Sequence, residues 1–395
     1  MFFVKSSWFN KACLYLFAWC IYYTQGILFP EGTLFTQFLV IVLLMVSLYY
    51  MFIANIRYRV PVYFYGLNIL LGMFLIYGIY LMVGGYNPAE YALPVPSFNY
   101  LKNILISLMP IYPFYVYSKE GFINEKILKI CFFVLFGFTI AKYYQNYHKQ
   151  LYMAMLVGSN ADEFTNNVGY EFLALIPFCV FFYKRSFLQY ITLGVCMIFL
   201  FMAMKRGAII IGVLCLIWFI WTNLRNASFK KKFGILALSM LLCFVGYLYI
   251  EKQMQESLFF QKRVENTLEG KSSGRDRLYG RFVDYFLEET TPLQFTFGSG
   301  ANATLKISDN YAHNDWLEIA VNQGIFGIVI YILYWFLFAK EILSKSYTPH
   351  VKIAMQLMFL IYFMKTLFSM SYSAYALSTT IILGYCFARK NVNDT

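Results

Sequence analysis

Long apolar stretches, broken by short polar punctuation, run through almost the whole chain. Twelve of them reach the roughly 20 residues that a bilayer core of ~30 Å requires of a helix. They lie near 12–29, 33–55, 61–83, 100–118, 127–145, 167–183, 187–204, 207–224, 233–250, 316–339, 351–369 and 371–388. The pattern predicts an all-α, polytopic transmembrane protein of about twelve spans. Spans seven and eight are separated only by Lys205-Arg206-Gly207, which demands a tight turn.

Segment 251–315 breaks the pattern: 18 of its 65 residues are charged. It is too long for a mere connector. From Arg275 to Glu289, the residues Leu278, Phe282, Tyr285 and Phe286 recur at helical spacing, with Arg281, Asp284 and Glu288 opposite. Ser272, Ser273 and Gly274 supply a start signal. This predicts an amphipathic helix that either lies along the membrane-water boundary or packs on the spans. The chain thus divides into spans one to nine (1–250), a long outer loop (251–315) and spans ten to twelve (316–395).

Composition narrows the class. Sixty per cent of residues are hydrophobic, 13% are charged, and 42 Phe, 35 Tyr and 6 Trp add an unusual aromatic load. One or two soluble cores cannot hide that much apolar surface, which excludes a soluble enzyme, a disordered chain and a nucleic-acid-binding domain. The net charge of +12 instead reflects basic cytoplasmic loops. With a cytoplasmic N-terminus, 18 of the 32 basic residues fall in inner loops. Only Lys102, Lys142, Lys149, Lys205, Arg206 and Lys365 fall in short outer ones. Both termini are therefore expected inside and segment 251–315 outside. Lys5 and Lys11 before the first apolar run resemble a signal peptide, but no cleavage site follows, so that run reads as the first span. The eight cysteines all lie in apolar runs without a C-x-x-C pair, which argues against a disulfide framework or a zinc site. No cofactor is implied.

Six ionisable residues sit at outer span ends: Lys102, Lys142, Glu171, Arg206, Glu318 and Lys365. They either snorkel to the interface or mark an outward-facing polar cavity. Near them, Tyr311-Ala312-His313-Asn314-Asp315-Trp316-Leu317-Glu318 leads into span ten. His313 falls where that helix begins, where partial positive charge and N–H groups suit an anionic ligand. His148 and His350 have no such context.

These strings resemble a known family. Ser273-Gly274-Arg275-Asp276-Arg277-Leu278-Tyr279, then Gly298-Ser299-Gly300, then Ala312-His313-Asn314 running on to Gly324 and Gly327, are similar to motifs of the O-antigen ligase and polymerase family. Lys205-Arg206-Gly207-Ala208 resembles its Arg-Gly-Ala, and Asn166-Asn167-Val168-Gly169 its Asn-x-x-Gly helix start. The resemblance covers about 160–330; the first 150 residues carry no matching motif.

What the resemblance implies is a GT-C-like membrane glycosyltransferase of the bacterial inner membrane, active on the periplasmic face. The donor would be an undecaprenyl-diphosphate-linked oligosaccharide and the acceptor a sugar hydroxyl. That hydroxyl would sit on another lipid-linked glycan (polymerase, the favoured form) or on the lipid A core (ligase). Other polysaccharide-assembly proteins are possible partners, and the product could be capsule, O-antigen of lipopolysaccharide or another polymer. The first outer loop, Pro30-Glu31-Gly32, offers a single acid, so a metal mechanism is disfavoured. His313 suits the role of general base. Arg206 and Arg275 suit the leaving diphosphate, with Arg277 and Arg281 either assisting or forming a solvated face. Asn314 either orients substrate or caps the helix. Inversion at the anomeric carbon is expected from the family. Two readings of other classes remain: a lipid-linked glycan flippase or transporter, which should show two similar halves, and a non-catalytic scaffold, which would not need these motifs.

Overall fold

The computed structural model describes residues 6–30, 32–84, 86–157, 166–226, 228–256, 261, 265, 275–372 and 377–390. Apart from one isolated Gln25–Phe29 bridge, regular structure among them is helical. In chain order the helices are α1 (Ser6–Tyr23), α2 (Leu34–Arg57), α3 (Val62–Val83), α4 (Ser97–Leu108), α5 (Ile111–Lys119), α6 (Glu125–Val157), α7 (Gly169–Cys179) and α8 (Ser186–Met202). Then follow α9 (Arg206–Asn226), α10 (Phe229–Glu256), α11 (Arg275–Asp284), α12 (Pro292–Phe297), α13 (Thr304–Ile307), α14 (Asp315–Leu343), α15 (Pro349–Phe368) and α16 (Leu377–Ala388). The described cysteines are all free.

Six described helices are long and apolar enough to cross a membrane: α2, α3, α6, α9, α14 and α15. The protein is a helical integral membrane protein. On α2, Leu39, Leu43, Ser47, Tyr50 and Ala54 are buried, while Phe38, Ile41, Met45, Phe52 and Ile56 are exposed. Both faces are apolar, the signature of a helix between protein and lipid rather than between protein and water.

Not every expected stretch is one unbroken span. The 100–118 stretch is two helices, because Pro110 has no N–H to continue α4 and its ring clashes with the preceding turn. The 167–183 stretch is α7, with Pro177 inside it, ending in a 3-10 turn at Val180–Phe182. Among the described residues, the 371–388 stretch supplies the 12 residues of α16. At 1.5 Å per residue that is about 18 Å, short of a bilayer core.

The chain forms two compact units. One comprises Met1–Tyr23, Glu31–Asn124 and Gly274–Thr395, the other Thr24–Pro30 and Glu125–Ser273. In the first, α14 packs on α3, α12 and α15, and α16 packs on α5 and α15. An aromatic core joins them. Tyr63 stacks on Phe387 at 4.5 Å and shares a hydrogen bond with Tyr334 at 3.0 Å. In the second, α7 packs on α6, α8 and α9, with Phe172 stacked on Phe199 at 5.0 Å.

A break in α14 positions the Gly298–Gly300 turn. The helix breaks at Gly324 (φ 67°, ψ −163°), which frees carbonyls of the turn before it. Ser299 N–H donates to Val321 O at 2.8 Å and Gly300 N–H to Asn322 O at 3.0 Å. The backbones meet so closely that a Cβ on Gly298 would lie 2.3 Å from Asn322 C, and one on Gly324 2.5 Å from Gly298 N. Both glycines have positive φ, a region costly for other residues. Gly324→Ala should therefore lower stability by about 1–3 kcal/mol, read as the thermal unfolding midpoint in detergent. Gly137→Ala, in α6 with nothing within 4 Å of the added carbon, should be neutral or stabilising by up to about 1 kcal/mol. Equal effects at the two positions would contradict the clasp.

Candidate functional site

In the first unit the loop motifs gather at the start of α14. The amphipathic pattern expected for Arg275–Glu289 forms α11 and then one π turn, Tyr285–Glu289. Its apolar side packs down: Phe282 is fully buried with Ala303, Ala312 and Val321, and Leu278, Tyr285, Ile307 and Leu317 pack around them. Tyr285 and Ser299 share a hydrogen bond at 3.0 Å. The expected start signal, Ser272–Gly274, lies outside the described residues.

His313 stands directly before α14, half-buried, with φ 51°. Its carbonyl accepts the Tyr279 hydroxyl at 3.3 Å. Asn314 is the N-cap: its Oδ1 accepts from Trp316 N at 2.9 Å and Leu317 N at 3.2 Å. Its amide also donates to Leu367 O at 3.4 Å. Arg275, half-buried at the start of α11, donates to Phe368 O at 2.8 Å. Trp316 Nε1 donates to Thr366 Oγ1 at 3.0 Å. His313, Asn314 and Arg275 are thus joined through Tyr279 and the 366–368 strip. Burial pushes the Tyr279 phenol above its usual pKa, so it remains a hydroxyl donor, and both Arg275 and Asn314 lie within its hydrogen-bonding reach.

Two carboxylates fill the first turn of α14, and both are fully buried. Asp315 accepts from Tyr331 OH at 2.6 Å, Ser371 N at 2.7 Å and Tyr372 N at 3.3 Å. Buried Lys365 lies close enough to act on it electrostatically. Glu318 accepts from Thr304 Oγ1 at 2.5 Å, Ala312 N at 2.9 Å and Asn322 Nδ2 at 3.0 Å. This corrects the expectation that N–H groups of the α14 N-terminus suit an anionic ligand. Asn314 occupies two of them, and acidic side chains already sit in the positive end of the helix.

Arg277 and Arg281 are not drawn into the cluster. Arg277 is exposed, and Arg281 pairs with Glu289 on the outer side of α11. Arg206 lies in the second unit, half-buried, as the first residue of α9. There the two upstream motifs meet. Asn166 N donates to Ala203 O at 3.0 Å, Lys205 Nζ to Asn167 Oδ1 at 2.7 Å, and Lys142 pairs with Glu171 at 2.6 Å. Asn166 Oδ1 accepts from Val168 N at 3.1 Å, which fixes the start of α7. His148 is exposed on α6. Among the described residues no group of three or more His, Cys, Asp or Glu could hold a metal ion.

Sequence reasoning missed Tyr279, Asp315 and Thr304. Tyr279 stood in the Gly-Arg string without a role. Asp315 stands in the string leading into span ten without a role, and nothing in that string signals its complete burial. Glu318 was visible only as an edge charge.

Backbone strain singles out the same places. Among the described residues the non-glycine positions with positive φ are Met204 (52°), Asn302 (60°) and His313 (51°). They fall immediately before Lys205-Arg206, two residues after Gly300, and on the candidate base. Such strain collects where the surrounding structure over-determines a functional geometry. No curated protein matches the chain, but residues 191–332, which hold all three positions, match the family model described as O-Antigen ligase, and this stretch is therefore similar to that family.

Proposed function

We propose that the chain is a metal-independent, inverting glycosyltransferase of the bacterial inner membrane, with both termini cytoplasmic and its site on the periplasmic face. It moves a glycan from an undecaprenyl-diphosphate donor to a sugar hydroxyl. The observation that carries the reading is the cluster of His313, Asn314, Arg275 and Tyr279 around a strained backbone inside the matched stretch. His313 accepts the proton of the acceptor hydroxyl. The hydroxyl oxygen forms the new bond to the anomeric carbon, and the bond to the lipid diphosphate breaks with its electrons staying on the phosphate oxygen. Attack opposite the leaving group inverts the centre. A guanidinium offers five donors and keeps its charge, so Arg275 suits the departing diphosphate. Arg206 is proposed for the same role on its own evidence, as the first residue of α9 in a strained turn. Arg277 and Arg281, on the exposed side of α11, are proposed only as auxiliary contacts for the anionic donor.

In this reading the acceptor is another lipid-linked repeat unit, which makes the enzyme a polymerase. The family description, O-Antigen ligase, favours a second form in which the acceptor is the lipid A core. Partners follow from the chemistry: the lipid-linked oligosaccharide, the acceptor glycan, the bilayer and other polysaccharide-assembly proteins.

Replacing His313 by Ala, at matched expression in a deletion strain, should cut long-chain glycan by about 100-fold or more; an unchanged ladder on gels removes the base assignment. Arg206→Lys keeps charge but loses the fork, and should reduce transfer at least several-fold. Full activity there would exclude a bidentate contact. Deleting the gene separates the two forms. A polymerase leaves single repeat units on the acceptor, whereas a ligase leaves long chains stranded on the carrier lipid.

A further inference from the structure

We propose that Glu318 is a positioning residue for His313, an inference that rests on the base reading of His313. A histidine held at φ 51° is strained, and such a conformation persists only when its flanks are fixed. Glu318 fixes both flanks. Its Oε2 accepts the Ala312 N–H at 2.9 Å, just before His313. Its own N–H donates to the Asn314 carbonyl at 3.0 Å, just after. The carboxylate is fully buried. Thr304 Oγ1 and Asn322 Nδ2 supply its other two hydrogen bonds, both to Oε1. Asn322 Oδ1 in turn accepts Thr304 N at 3.3 Å. A carboxylate walled in by three donors acts on the reaction through the backbone it holds, not by touching substrate. It also ties the His313 turn to the α14 break, since Asn322 O accepts Gly300 N–H.

The test is Glu318→Gln. An amide offers one acceptor oxygen and one NH2 group, so in either orientation a donor is turned against a donor. With the NH2 at the Oε2 place, Ala312 N–H loses its partner. With the amide flipped, the Thr304 hydroxyl can turn to accept, but Asn322 Nδ2 faces the NH2 and loses its partner. Transfer by E318Q should fall roughly 10- to 100-fold while KM for the lipid-linked donor changes much less, and the Ala312 amide should exchange hydrogen faster in detergent. Because Glu318 works through His313, E318Q combined with H313A should lose nothing beyond H313A alone. Thr304→Val is the milder companion in case E318Q does not accumulate. It removes one donor to Oε1 and should cost a few-fold, again without further loss on H313A.

Losses that multiply with that of H313A would overturn the inference, as would full activity with unchanged Ala312 exchange. Full activity of H313A itself would instead overturn the base reading.

Discussion

Within apolar surroundings a helix cannot break without finding partners for the carbonyls it exposes, and each group left unsatisfied costs several kcal/mol. The break of α14 at Gly324 meets this demand with the Gly298–Gly300 turn. The 275–314 segment is therefore not draped over the end of a span; its backbone completes the hydrogen bonding of the span. Everything between these points inherits that fixation. Asn302 and α13 follow the turn, Thr304 reaches Glu318, and Ala312 returns to Glu318 immediately before His313. A candidate base on a loop thereby acquires the precision of a site on a rigid element.

The placement of polar groups follows from the same constraint. Asp315, Glu318 and Asn322 are fully buried in the first turns of α14. Buried polar side chains are tolerable only when their hydrogen bonds are made, and the two carboxylates each collect three donors. Their partners are drawn from chain segments far apart in sequence: Thr304, Ala312, Tyr331 and the 371–372 backbone. The carboxylates act as fasteners between the loop, α14 and the segment after α15, and the candidate histidine lies among the pieces they fasten.

Much of the fold was legible because its signals are local. A span announces itself by unbroken apolarity, and α2, α3, α6, α9, α14 and α15 fall where the sequence places them. The Arg275–Glu289 helix announces itself by periodicity, and Phe282 is buried as that periodicity requires. Pro110 is an equally local signal, and it separates α4 from α5 in a stretch expected as one continuous span. The site divides similarly. His313, Asn314 and Arg275 belong to recognisable strings. The engagement of Arg281 by Glu289 depends on how the helix ends, in a π turn that carries no sequence mark. The burial of Asp315 and Glu318 depends on partners 56 and 14 residues away, beyond the reach of any local pattern.

The corrected role of the α14 N-terminus bears on how a diphosphate would be held. Helix starts bind phosphate when their N–H groups are unspent and their positive end is unscreened. Here Asn314 takes up the N–H groups of Trp316 and Leu317, and the carboxyl groups of Asp315 and Glu318 already fill the first turn. Under the proposed reaction the leaving charge must then be met by side chains. Arg275 fits that demand. One of its donors is anchored on the Phe368 carbonyl, which orients the guanidinium, and a guanidinium carries more donors than this contact uses. The helix start serves instead to hold the histidine turn still. Under the proposed reaction, base and phosphate ligand would then rest on two linked devices, a strained turn clamped by Glu318 and an arginine anchored on the last turn of α15, joined through Tyr279 and Asn314.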